Sequence, residues 1–247
     1  MAQFISKIGL QKIILSDVNS TNNFAAKLIK DGITGHGSVI MAENQSDGRG
    51  QHDSIWQSAP KLNLLLSIIL LPKQMNIRNP IHINWFISIS IIDFFLIKGI
   101  KAEIKWPNDI LVNGKKIAGI LIENKYSGSK LRNSIVGIGV NVNQMSFDSI
   151  VATSMKIEQD TDFVLEDLLE EFILCLKSKE EWLYSKNQEV LQKEYLNYLF
   201  GMGQLLKFKT NSGIIQGEIT GVDSNGQLLV TSNGKTHAFQ NKEIQFL

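Results

Sequence analysis

Two apolar stretches limit what this chain can become: Leu62–Leu71, broken only by Asn63 and Ser67, and Ile81–Ile97. Pro72 stops the first at half the length needed to span a bilayer. The second is interrupted by His82, Asn84 and Asp93 and falls short of the roughly 20 apolar residues of a spanning helix. Both must therefore be enclosed by protein. An unbroken apolar run between turn signals reads as a strand buried on both faces. The second, opened by Asn79-Pro80 with proline at the first helical position, reads as a helix apolar almost all round. A chain of 247 residues has room for one core of that kind, with or without a small second domain.

The charge balance excludes some partners. Net charge is +1, so no overall field favours nucleic acid or an anionic membrane. The one cysteine, Cys175, lies among Phe172, Ile173, Leu174 and Leu176 and reads as a small core residue. It forms no intrachain disulfide and has no His/Cys cluster for structural zinc. The N-terminus carries no secretory pattern, and the expected location is cytoplasmic.

Ile13–Ser16 reads as a strand leading into a helix over Thr21–Lys30, capped by Ser20 or Thr21. Ser38–Ala42, Ala102–Lys105, Ile110–Val112, Lys116–Glu123 and Ile135–Val142 read as further strands. Asn113-Gly114 predicts a two-residue hairpin. Asp162–Tyr184 and Glu189–Leu199 have helical spacing. After Phe200 short β-type runs alternate with turns at Asn211-Ser212-Gly213, Asn225-Gly226 and Asn233-Gly234, which predicts a small all-β module of about five strands. The fold class expected is α+β: a mixed, largely antiparallel sheet flanked by helices over residues 1–200, and a small SH3-like β-barrel over 201–247.

Four segments carry candidate chemistry. In Gln45-Ser46-Asp47-Gly48-Arg49-Gly50-Gln51 two glycines allow close backbone approach to a ligand, and Arg49 offers a forked donor to phosphate or carboxylate. By itself Gly-Arg-Gly is a commonplace surface turn; it is neither a Walker A loop nor a dinucleotide fingerprint. Lys105-Trp106-Pro107-Asn108-Asp109 is a stiff turn between two strands, with polar groups held by the proline. An ordinary loop explains Pro107 and Asn108, but it explains a tryptophan beside a lysine less well. Gly137-Ile138-Gly139-Val140-Asn141-Val142-Asn143 is a strand with small residues on one side, where a flat ligand has room. Asn19-Ser20-Thr21-Asn22 opens the first helix; a plain N-cap accounts for it, and such a terminus also suits a polar head group.

Together these segments resemble the biotin–protein ligases, in order and spacing, as far as about Asn143. Lys105–Asp109 with the trailing Lys116-Ile117-Ala118-Gly119-Ile120-Leu121 is the most specific part. The resemblance implies a class II synthetase-like catalytic domain and a two-step reaction. Biotin and Mg2+-ATP give biotinyl-5′-adenylate and pyrophosphate; a lysine of a biotin carboxyl carrier protein then takes the biotin as an amide, releasing AMP. It implies Lys105 and Arg49 as catalytic residues, Lys105 offsetting charge at the carboxylate and α-phosphate. Biotin would be bound by Ser20, Thr21, Asn22, Gln45, Arg49, Gly50, Gln51, Lys105 and Gly119. ATP would be bound by Gly48, Arg49, Trp56, Asn108, Asp109 and Asn141. The resemblance implies that Asp109 helps position either the lysine side or the metal, and no protein ligand to a metal is assigned.

Many members of the family carry a more basic stretch after Gly-Arg-Gly, where this chain has Gln51-His52-Asp53-Ser54. That removes one positive charge and adds a negative one at Asp53. Some members also carry a DNA-binding domain ahead of the first motif; with Ser20 so early, the expectation is no operator binding, while a homodimer stays open. A lipoate or octanoate ligase shares the fold and chemistry, and Lys105–Asp109 speaks against it. A non-catalytic sensor with a peptide-binding C-terminal module is the alternative from another class.

Overall fold

The computed structural model describes residues 6–51, 54–71, 79–148, 150–184 and 189–247. Within them lie two sheets. The larger contains β1 (Lys12–Val18), β2 (Val39–Gln45), β3 (Asn63–Leu70), β4 (Glu103–Lys105), β5 (Asp109–Val112), β6 (Lys115–Ser127) and β7 (Lys130–Asn141), in the order β1-β2-β3-β7-β6-β5-β4. Only β1 and β2 run parallel; every other neighbouring pair is antiparallel. The helix between β1 and β2, α1 (Thr21–Lys30), is the crossover that a parallel pair requires.

All eight residues of β3 are buried, Asn63 and Ser67 included. One face carries α1, through a cluster of Ala25, Leu28, Ile40, Ile69 and Ile135. The other carries α2 (Ile81–Ile97), which packs on α4 (Leu165–Lys179) and α6 (Glu189–Asn197). Trp85, Phe86, Phe94, Phe95 and Phe172 are almost fully enclosed there. Among the described residues no helix is long and apolar enough to cross a membrane.

The Asn113-Gly114 hairpin forms as predicted. Both residues have positive φ, 50° and 74°, the geometry of a type I′ turn, which glycine and asparagine tolerate best. The helix expected over Asp162–Tyr184 starts later and divides into α4 and the single turn α5 (Glu181–Tyr184). A short helix, α3 (Met155–Gln159), has no counterpart in the sequence reading. Five residues are too few for apolar periodicity to show, and Ser154 starts it by accepting from the Ile157 amide at 3.2 Å.

The C-terminal strands β8 (Leu205–Thr210), β9 (Gly213–Val222), β10 (Leu228–Ser232), β11 (Lys235–Phe239) and β12 (Ile244–Phe246) make a five-stranded antiparallel sheet in the order β11-β10-β9-β8-β12. It is tied to the larger sheet at the Lys105–Asp109 turn. Trp106 Nε1 donates to the Gly226 carbonyl at 2.8 Å, and the Lys105 ammonium lies 5.3 Å from the centre of the Phe246 ring.

Candidate active site

A cleft of about 790 Å³, counting its open mouth, lies over the centre of the larger sheet on the α1 side. Its floor is β6 and β7, where Gly119 pairs with Gly139 and Leu121 with Gly137. A side chain at any of these glycines would fill the cleft. A Cβ at Gly119 would lie 2.8 Å from the Trp56 ring, and one at Gly137 would lie 2.7 Å from Asn22 Oδ1. At Gly139 it would run into the Trp56 indole itself.

The roof is the loop after β2. It folds back on itself: Trp56 N–H donates to the Gly48 carbonyl at 2.8 Å and Gly50 N–H to the Ser54 carbonyl at 2.7 Å. Glycine at 48 permits this, because a Cβ there would sit 2.6 Å from the Trp56 carbonyl oxygen. The fold-back lays the Trp56 indole on the Gly119–Gly139 platform, with Nε1 shielded from water and without a hydrogen-bond partner among the described residues. Gln51 Oε1 accepts from Asn241 Nδ2 at 2.9 Å, so the loop also touches the C-terminal sheet. His52 and Asp53 lie outside the described residues.

The two ends of the cleft differ in chemistry. At one end, under the N-terminus of α1, Ser20, Thr21 and Asn22 are buried. Gln45 Oε1 accepts from Thr21 N–H at 2.8 Å and faces Thr21 Oγ1 at 3.1 Å. Buried Ser67 approaches Thr21 Oγ1 at 2.8 Å and Asn22 Oδ1 at 2.5 Å. This end is neutral and rich in hydrogen-bonding groups. The other end is charged: Lys116 Nζ stands 2.6 Å from Asp109 and 5.4 Å from the centre of the Trp56 ring. Beside them Asn108 is fixed by donating to the Ile120 carbonyl at 2.9 Å.

Ser20, Thr21, Asn22, Gln45, Arg49, Gly50, Gln51, Trp56, Asn108, Asp109 and Gly119 all line this cleft. Gly48 closes the loop above it. Two of the expected residues lie outside this lining, and a third is within it but engaged with a carboxylate. Lys105 does not line the cleft: the turn splits, its first half turned to the C-terminal sheet and its second half to the cleft, so Lys105 serves Phe246. Asn141 does not line it either; its amide donates to the Thr153 carbonyl at 3.0 Å and so fastens the 151–153 segment, which bridges to Lys116 at Ala152. Arg49 lines the cleft, but its guanidinium is held on Glu123, with Nη2 2.7 Å from both carboxylate oxygens.

Lys116 and Glu123 are the residues that sequence reasoning passed over. Strict alternation puts Lys116 and Gly119, three apart, on opposite faces of a strand. In β6 they share a face. Ile110 pairs with Ala118 and Leu111 with Lys116, so β6 carries an extra residue, and this bulge turns Lys116 into the cleft.

Residues 15–141, more than half of the chain, match the model of the Biotin/lipoate A/B protein ligase family. The bifunctional ligase/repressor BirA of Bacillus spizizenii is 28% identical over 226 residues, which cover 89% of this chain and 69% of that protein. A biotin--[acetyl-CoA-carboxylase] ligase of Paracoccus denitrificans is 25% identical over 94% of this chain and 99% of its own length. Among solved structures, a biotin protein ligase from Aquifex aeolicus in complex with biotin and ATP has the same fold, with a TM-score of 0.80 at 24% identity. It is covered to 99%, against 96% of this chain. The family match takes in every residue that lines the cleft, and the chain belongs to the Biotin/lipoate A/B protein ligase family.

Proposed function

We propose that this chain is an ATP-dependent biotin–protein ligase acting on a lysine of a biotin carboxyl carrier protein in the cytoplasm. The observation that carries it is a single cleft with a neutral hydrogen-bonding end, a flat glycine floor and an end that holds the Lys116–Asp109 ion pair. Biotin has the matching parts in the same order: an uncharged ureido head, a fused ring and a tail ending in carboxylate. Relatives named as biotin ligases support the choice of acid over lipoate. Residues 1–200 would hold the acid and the nucleotide. The 201–247 module would brace the Lys105–Pro107 half of the turn and the loop at Gln51.

In the first step a biotin carboxylate oxygen attacks the α-phosphorus of ATP, forming the mixed anhydride and expelling pyrophosphate. Negative charge crowds between carboxylate and phosphate, and Lys116 stands where a cation would offset it. An ammonium has three donors, so Lys116 can keep Asp109 on one and turn the others to the reacting oxygens. Ser20, Thr21 and Gln45 would hold the ureido head, Gly137 would leave room for the ring, and Trp56 and Asn108 would flank the nucleotide. The Gly48–Trp56 loop would keep water from the anhydride. In the second step the lysine amine attacks the biotinyl carbonyl, AMP leaves, and an amide remains.

Among the described residues no cluster of three His, Cys, Asp or Glu side chains is placed to hold a metal ion. Mg2+ bound through the ATP phosphates needs few protein ligands.

Exchange of labelled pyrophosphate into ATP, run with biotin, lipoate and octanoate separately, tests this reading. Exchange with biotin alone supports it. Exchange with lipoate or octanoate in place of biotin refutes the substrate, and none with any acid refutes the activity.

A further inference from the structure

The neutral end of the cleft is closed by one assembly of side chains. Asn22 Nδ2 donates to Glu123 Oε2 at 2.7 Å, and Arg49 Nη2 reaches both Glu123 oxygens at 2.7 Å. Asn22 Oδ1 is taken at the same time by Ser67. Both ends of the Asn22 amide are therefore used in the wall, and its orientation is fixed by a carboxylate on one side and a hydroxyl on the other. Behind the wall lies a second cleft, along α1, lined by Ala26, Ile29, Asn124 and Ile135. Asn22 and Arg49 face both clefts, whereas Glu123 faces only the second. The Asn22–Glu123–Arg49 assembly is thus a partition between them.

From this geometry we infer that Glu123 is a specificity-determining, positioning residue. It never touches the acid; it holds Asn22 and Arg49 in place as the end wall against which a ureido head stops. This rests on the proposed biotin site and extends it. The only loop residue in the wall is Arg49, which lies between the two glycines of the roof. The same ion pair therefore fixes both the depth of the head-group end and the seat of the loop above it. Glu123 is the fixed partner, because it belongs to the long pair β6–β7, where it sits opposite Ile135. A carboxylate that binds a guanidinium and an amide together is satisfied on both oxygens, so the wall holds without a ligand.

Pyrophosphate exchange with two acids tests the inference: biotin, and a biotin carrying a propyl group on a ureido nitrogen. The unaltered protein is expected to use the propyl compound at under about one-hundredth of its rate with biotin. Glu123→Ala, which opens the wall onto the second cleft, is expected to raise that ratio at least about tenfold. Glu123→Gln keeps the shape and loses the charge. It is expected to raise KM for biotin about fivefold to tenfold while KM for ATP changes less than about twofold. An unchanged ratio in Glu123→Ala, with exchange on biotin intact, overturns the inference. So does a parallel loss for biotin and ATP in Glu123→Gln, which marks a fold effect. If Glu123→Ala does not fold, the KM split in Glu123→Gln decides alone. Failure of the unaltered protein to exchange with biotin would instead sink the ligase reading.

Discussion

At the residue scale the decisive comparison is between two lysines eleven positions apart. Lys105 sits in the most distinctive motif of the chain, yet its ammonium packs over Phe246. Lys116, which heads the trailing run of the same motif without a role assigned to it, is turned by a bulge into the cleft beside Asp109. Removal of a preorganised donor from a developing charge costs about 100- to 1,000-fold in rate. Lys116→Ala is therefore expected to lower biotin-dependent adenylation by about that factor, and Lys105→Ala by less than about threefold. Gly139→Ala is expected to abolish tight adenylate binding, since its methyl would displace Trp56; protein-bound adenylate after gel filtration measures it. Cys175 is predicted to be inert. Burial pushes its thiol up to about 11, so at pH 8 iodoacetamide should modify it only once urea unfolds the chain, as intact mass would record.

At the scale of elements, short segments supply the precision that the long ones lack. The 151–153 segment, held by Asn141 and followed by α3, fixes the backbone of Lys116 on both sides: Lys116 N–H donates to Val151 and its carbonyl accepts from Thr153. Ser154→Ala removes the N-cap of α3 and is expected to cost about 1 kcal/mol in urea unfolding, together with a loss of adenylation rate. The long elements were legible in sequence because their cause is local: a buried strand is apolar throughout, and a turn of Asn-Gly type needs positive φ. What could not be read depends on pairing across the sheet. The bulge at Lys116 exists only as a register difference between β5 and β6. Residues 22, 49 and 123 come together only because α1, the loop and β6 stack at one end of the cleft. Ser67 and Glu123 carried no local sign, since a serine in an apolar strand and a glutamate near a strand end are both ordinary.

At the scale of the whole molecule, the catalytic sheet and the helical layer share one core, with aromatic packing at its centre. His82 and Trp85 on α2 meet Tyr195 on α6, with ring centres 5.3 Å and 6.0 Å apart along the stack. Burial lowers the His82 pKa below its ordinary 6.5. The unfolded chain then takes up a proton below pH 6.5 that the folded chain resists, so stability falls as pH drops through this range. Replacement of His82 by Phe is expected to flatten that fall, measured as the difference in urea midpoint between pH 7.5 and 5.5. The C-terminal sheet enters the account through Trp106, Lys105 and Gln51, each of which rests on it at the edge of the site. It contacts the turn and the loop, while the cleft itself is lined by residues of the larger sheet, the start of α1 and the loop.

The central claim, that this cleft adenylates biotin with Lys116 as its charged group, is tested most directly by biotin-dependent pyrophosphate exchange in Lys116→Ala and Lys105→Ala side by side. A loss of about 100-fold or more is expected in the first and near-normal exchange in the second. Normal exchange in Lys116→Ala, with loss in Lys105→Ala, would contradict it.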